Sequence, residues 1–236
     1  MAMKATRIYK SNTLMDFIKD YEQRMNERAK FIKECWLDFL SKGNIVIFDT
    51  ETSGLNEFDN DILSLSWQVT DSDFRTIKAA TRYFDWPNDE DRVTKKAIEI
   101  NGLTKERLAE LGTSDRKESI SEFLSDVKKS ILMVAHNINF DYAFVYMTAR
   151  RYDLPTDILE SSRCFCTMTS LTEYCHLDRP GFDDGYKWPR LSEAAEILQI
   201  NTNEIEWHKS ESDTEIVRRI MKKIVTEGIV STFYIN

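Results

Sequence analysis

Three stretches of this sequence place acids where solubility does not call for them. The first is Ile45-Val46-Ile47-Phe48-Asp49-Thr50-Glu51-Thr52-Ser53-Gly54-Leu55. Its four leading apolar residues read as a strand buried on both faces. Asp49 and Glu51 follow at i and i+2, so their side chains point the same way. Two carboxylates side by side at the end of a buried strand repel unless a cation lies between them. Hard divalent cations bind such clustered oxygens, and Thr52, Ser53 and Gly54 let the chain turn closely around a ligand. The second stretch, His136-Asn137-Ile138-Asn139-Phe140-Asp141, follows the apolar run Ile131–Ala135. It puts Asp141 in the first turn of a helix, where the dipole favours a carboxylate. The third is His208-Lys209-Ser210-Glu211-Ser212-Asp213, with Asp213 at the start of the last helix and His208 on the loop before it. Singly these are a polar turn, a helix-end acid and a loop histidine. Together they supply four carboxylates and an imidazole.

At these residues the sequence resembles the DEDDh 3′–5′ exonucleases, the family of the DNA polymerase III proofreading subunit within the ribonuclease H-like superfamily. Phe48–Leu55 is similar to the first motif, His136–Asp141 to the second, and His208 with Asp213 to the His-x4-Asp third motif. The sister class would need a tyrosine where Lys209 stands. Ile100-Asn101-Gly102-Leu103-Thr104 and Lys187-Trp188-Pro189-Arg190-Leu191-Ser192 are weaker echoes of family segments. The resemblance covers about residues 44–230 and implies a two-ion phosphodiester hydrolysis that releases nucleoside 5′-monophosphates from single-stranded or frayed 3′ ends. It makes Asp49, Glu51, Asp141 and Asp213 the ligands of two Mg²⁺ or Mn²⁺ ions and His208 the general base, with an ordinary pKa near 6.5 suited to that role. It implies substrate contacts at Thr50, Thr52, Leu55, Asn137 and Phe140, where a core role for the Phe140 ring weighs evenly against stacking on bases. Lys187, Arg190, Lys209, Arg218 and Arg219 are phosphate-contact candidates, the last two reading better as a solvated helix face. No motif fixes the sugar, so DNA or RNA 3′ ends are the expected partners. A non-catalytic nucleic-acid- or polymerase-binding module is the rival from another class.

Composition sets the outer bounds. The 236 residues are 42% hydrophobic and 31% charged, as in soluble globular proteins. No apolar run approaches a membrane span and no signal-like segment opens the sequence, so no membrane partner and a cytoplasmic location are expected. The four cysteines, Cys35, Cys164, Cys166 and Cys175, read as reduced thiols. Cys164-x-Cys166 with Cys175-His176 departs from zinc-site spacing and reads better as buried thiols. The formal charge is −8, which argues weakly against a nucleic-acid partner. Residues 1–43, however, hold nine Lys/Arg and six Asp/Glu, leaving the excess acid to the remainder, where the four clustered carboxylates lie.

The elements that must position these groups follow from periodicity. A helix is expected over Thr13–Leu40, capped through Thr13 and Asp16, after a loose start over residues 1–10. Its apolar seam is Leu14, Ile18, Tyr21, Met25, Ile32, Cys35 and Phe39. It is expected to pack on the main domain, ahead of self-association, clamping nucleic acid or docking a polymerase. Strands are expected at Ile45–Phe48, Ile62–Val69 and Ile77–Phe84. The short gaps between them make an antiparallel meander. Helices follow at Thr94–Ile100, Lys105–Ala109 and Glu118–Lys129, then the Ile131–Ala135 strand and helices at Asn139–Arg151, Leu191–Leu198 and Glu211–Thr226. Residues 152–190 give no clear pattern. The expected fold is α/β: a ribonuclease H-like mixed sheet, antiparallel meander plus parallel strands, flanked by helices. Residues 1–43 form an N-terminal helical extension and 44–236 the exonuclease domain.

Overall fold

The computed structural model describes residues 14–181 and 185–230. The loose start and the Thr13 cap lie outside them. Helix α1 spans Leu14–Leu40, followed by strands β1 (Asn44–Thr52), β2 (Ile62–Thr70) and β3 (Thr76–Tyr83). A 3₁₀ turn at Glu90–Arg92 leads into α2 (Lys95–Asn101), α3 (Lys105–Leu111) and α4 (Arg116–Lys128). Then come β4 (Ser130–Ala135), α5 (Ile138–Arg151), α6 (Asp157–Glu160), β5 (Cys164–Cys166), α7 (Thr167–Cys175), α8 (Leu191–Ile197) and α9 (Ser210–Glu227). The strand order is β3-β2-β1-β4-β5. β1–β2 and β2–β3 are antiparallel, while β1–β4 and β4–β5 are parallel. This is the expected mixed sheet.

Alternation along β1 builds both faces. Ile45 and Ile47 enter a core shared with α7, α8, α9 and the C-terminal half of α1. Val46 and Phe48 enter the opposite core, with Phe123 of α4 and Phe144 of α5. β1 runs on to Thr52, so Asp49 and Glu51 lie within the strand rather than beyond its end. Pairing with β2 holds this polar stretch in extended form, with Asp49 opposite Ser66 and Glu51 opposite Ser64.

The α1 seam is only half used. Ile32, Trp36 and Leu40 are buried, at the i, i+4, i+8 spacing of one helix stripe, and Trp36 meets Phe165 of β5 edge-on at 5.1 Å between ring centroids. Ile18, Tyr21 and Met25 from the expected seam are exposed. Residues 152–190, patternless in sequence, hold the short β5 and the helix behind it. Three residues pairing with β4 suffice to extend the sheet but are too few to show a period.

Candidate active site

Three elements bring the four acids together. Asp49 and Glu51 project from β1 on the face that α9 covers. Asp213 sits in the first turn of α9, and Asp141 in the first turn of α5. Oxygens of Asp49, Glu51 and Asp213 lie within 4.8 Å of one another, forming the one such group of potential metal ligands among the described residues. Asp141 is buried beside them. Its Oδ1 accepts hydrogen bonds from the Thr50 backbone N–H (2.9 Å) and hydroxyl (2.7 Å). That pair locks the middle of β1 to the start of α5.

The electrostatics are those of buried, crowded carboxylates. Burial, and then the carboxylates of Asp141, Glu51, Asp213 and Glu211, push Asp49 well above the usual range. Burial and the charges of Asp213 and Asp141 raise Glu51 to about 8. Burial lifts Asp141 to about 7 against its bonds from Thr50. Burial also lifts Asp213 to about 7, with a hydrogen bond from the His208 backbone opposing. Asp213 Oδ1 is buried and has no hydrogen-bond partner among the described residues, although buried polar atoms normally have one. An orphaned carboxylate oxygen, converging hard donors and uncompensated negative charge all fit a divalent cation. Asp49, Glu51 and Asp213 would hold it, with Asp141 beside them.

Backbone anchors surround the acids. Thr52 is buried, with its hydroxyl on the Gly54 carbonyl. Asn101, at the end of α2, donates to the Thr52 carbonyl (3.1 Å) and accepts from the Leu103 N–H (3.0 Å). This gives the Ile100–Thr104 echo a positioning task. The loop after β1 is clamped through Asp61, which binds Arg92 (2.9 Å) and Arg151 (2.8 Å). Arg151 also donates to the Glu57 and Phe58 carbonyls. A Cβ at Gly54 would meet the Asn60 side chain, which accepts from the Asn56 N–H and donates to the Arg92 carbonyl. The clamped loop presents Leu55, 78% exposed, and Phe58, 62% exposed.

The other expected residues divide. His208 is exposed, with a left-handed φ of 62°, and its imidazole makes no hydrogen bond among the described residues. Asn137 is exposed and left-handed at the N-cap of α5. Phe140 is half-buried, its ring 4.9 Å from that of Phe144, so one face belongs to the core. Arg218 and Arg219 are not a solvated face: both bind Glu215, and they donate to the Phe74 and Asn201 carbonyls. Lys187 pairs with Glu193 and Lys209 with Glu206. Burial pushes the Cys164 thiol up to about 11, and Cys164, Cys166 and Cys175 are all free. His176 stacks on Tyr186 instead of joining them.

Sequence reasoning left two groups unassigned. Glu211 accepts from the Tyr83 hydroxyl at 3.1 and 3.3 Å and adds a fifth negative charge to the cluster. Ser210 joins Ser64 and Ser66 of β2 beneath it. The available signal was the polar alternation Ser64, Ser66, Gln68, Thr70 in a strand buried at every position.

Comparison with known proteins points one way. The family model described as "Exonuclease" (RNase_T) matches residues 46–221. The DNA polymerase III PolC-type of Streptococcus pneumoniae serotype 2 is 28% identical over 116 residues, 49% of this chain and 8% of that protein. Its counterpart from Caldanaerobacter subterraneus subsp. tengcongensis is 22% identical over 197 residues, 83% of this chain and 13% of that one. The chain thus spans a small fraction of the polymerases it matches. Among solved structures, E. coli exonuclease I in complex with a dA16 oligonucleotide superposes with a TM-score of 0.61 at 18% identity, covering 78% of this chain and 41% of that one. The zinc-bound form of that exonuclease with single-stranded DNA gives 0.64 at 17% identity, with the same coverage. At such identities the likeness is one of fold.

Proposed function

The chain belongs to the RNase_T exonuclease family, and we propose that it is a metal-dependent 3′–5′ exonuclease acting on single-stranded or frayed DNA ends. The observation that carries this reading is the convergence of Asp49, Glu51 and Asp213 within 4.8 Å, with Asp141 alongside. Two Mg²⁺ or Mn²⁺ ions are the proposed cofactors. Bound there, they supply a Lewis acid and charge neutralisation at the scissile phosphate.

The chain's own residues do the rest. His208 accepts the proton of the attacking water. The water oxygen bonds to phosphorus as the P–O3′ bond breaks and the departing O3′ takes a proton from solvent, giving a nucleoside 5′-monophosphate and a new 3′-hydroxyl on the strand. Thr50 and Thr52 hold the terminal sugar through the β1 backbone, Leu55 and the free face of Phe140 contact bases, and Asn137 bonds the strand's backbone. DNA is favoured because the matching relatives are DNA polymerases by name and the exonuclease I neighbours are complexes with dA16 and single-stranded DNA. Residues 44–236 are proposed as the catalytic domain. Residues 1–43 are proposed as an extension whose exposed Ile18, Tyr21 and Met25 dock a polymerase or a second copy.

The test is a time course on matched 5′-labelled DNA and RNA oligonucleotides with Mn²⁺, Mg²⁺ or EDTA. A ladder shortening from the 3′ end, faster on DNA and abolished by EDTA, is the expected result. Faster cleavage of RNA would overturn the sugar preference. No cleavage with either metal would overturn the activity.

A further inference from the structure

Helix α9 meets β2 through buried polar groups. Ser64, Ser66, Ser210 and Thr214 are each no more than 1% exposed. Ser210 Oγ is hydrogen-bonded to Ser64 Oγ at 2.5 Å and to Ser66 Oγ at 2.8 Å. Thr214 Oγ1 donates to the Ser66 and Ser210 carbonyls. One turn further on, Gln68 Nε2 donates to Glu215 (3.2 Å). The rest of the helix face, Ile216, Val217, Ile220, Met221 and Ile224, is apolar.

These contacts have different tolerances. Apolar packing is non-directional and lets a helix slide or roll by fractions of an ångström. A hydroxyl held by two others at hydrogen-bond distance does not. Ser64 and Ser66 are the register partners of Glu51 and Asp49, and directly paired residues project to the same sheet face. Ser210 therefore binds the two residues standing beside the β1 acids. Three residues later its helix carries Asp213.

We propose that Ser210 is a positioning residue that sets Asp213 against Asp49 and Glu51 and thereby fixes cation affinity. This rests on the metal-site reading above. Groups that orient metal-binding carboxylates typically change affinity about 10–100-fold when removed, and Ser210→Ala falls toward the lower end because Asp213 itself remains.

The experiment is Mn²⁺ binding to the full chain by isothermal titration, with no nucleic acid present. It compares wild type, Ser210→Ala, Ser64→Ala, Asp213→Asn and Gln68→Leu. Expected are binding by wild type, severe loss in Asp213→Asn, about 10-fold weakening in Ser210→Ala, and a smaller loss in Ser64→Ala, where Ser66 still holds Ser210. Gln68→Leu removes a buried polar tether from the same helix. It should lower the melting temperature and leave affinity unchanged. Ser64→Ala carries the test if Ser210→Ala does not fold. Unchanged affinity in the serine variants beside a binding wild type overturns the positioning role alone. Equal weakening in Gln68→Leu overturns it too, by making the effect general loosening. A wild type that binds no Mn²⁺ overturns the metal site and this inference together.

Discussion

Replacing Asp213 by Asn should stabilise the metal-free protein at alkaline pH while removing its activity. Asp213 is buried, and burial raises its carboxyl from 3.8 to about 7. Each unit of that shift is worth about 1.4 kcal/mol. Ionising the group in the fold is therefore harder than in the unfolded chain. A raised folded pKa means that the group's contribution to stability is full below its unfolded value, near 4, and lost as pH rises through about 7. Asn does not ionise and loses nothing. Its amide needs a partner, at a cost of about 1–3 kcal/mol, but that cost does not vary with pH. From pH 5 to pH 8 the stability difference, variant minus wild type, should thus grow by about 2–3 kcal/mol. Urea unfolding in EDTA at several pH values measures it. Saturating Mn²⁺ should reverse the order, since wild type gains about 4.1 kcal/mol at a thousandfold excess over Kd and the variant lacks a ligand. A difference that stays flat across the pH range in EDTA would refute the account of these carboxylates.

Other perturbations separate chemistry from scaffold. Asp49→Ala should abolish cleavage of a 5′-labelled oligonucleotide with the fold intact by circular dichroism. His208→Ala should lower kcat about 10²–10⁴-fold with Mn²⁺ affinity preserved in a titration. Arg151→Ala frees the loop that carries Leu55. It should cost about 1.5–3 kcal/mol in urea unfolding and raise KM more than it lowers kcat. Trp36→Ala should cost about 3–5 kcal/mol, since the ring is buried against Phe165. Stability unchanged by that substitution would show that α1 adds nothing to the core.

Asp49, Glu51 and Asp141 were legible because each follows an apolar run that ends abruptly, and such runs mark buried strands whatever the tertiary context; Asp213 follows no such run and stood out only by its spacing from His208. The sheet order was legible as far as loop length decides between hairpin and crossover. β5 was not, because Cys164-Phe165-Cys166 is too short to show alternation and owes its extended form to pairing with β4. The α1 seam misled at its N-terminal end: spacing shows which residues share a face, not whether anything stands opposite. Ile18, Tyr21 and Met25 fit the pattern and are exposed. Trp36 and Leu40, outside the expected seam, fill the core. The polar face of β2 reads in sequence like a surface, and only α9 packed over it shows those hydroxyls to be internal.

The position of α9 in the chain has a consequence for synthesis. All five strands precede it, and it supplies both Asp213 and the cover over Ser64 and Ser66. A ribosome therefore synthesises all five strands, with Asp49, Glu51 and Asp141, before Asp213 and the helix that covers Ser64 and Ser66. On the metal-site reading proposed above, the cluster of Asp49, Glu51 and Asp213 is therefore completed only when α9 docks.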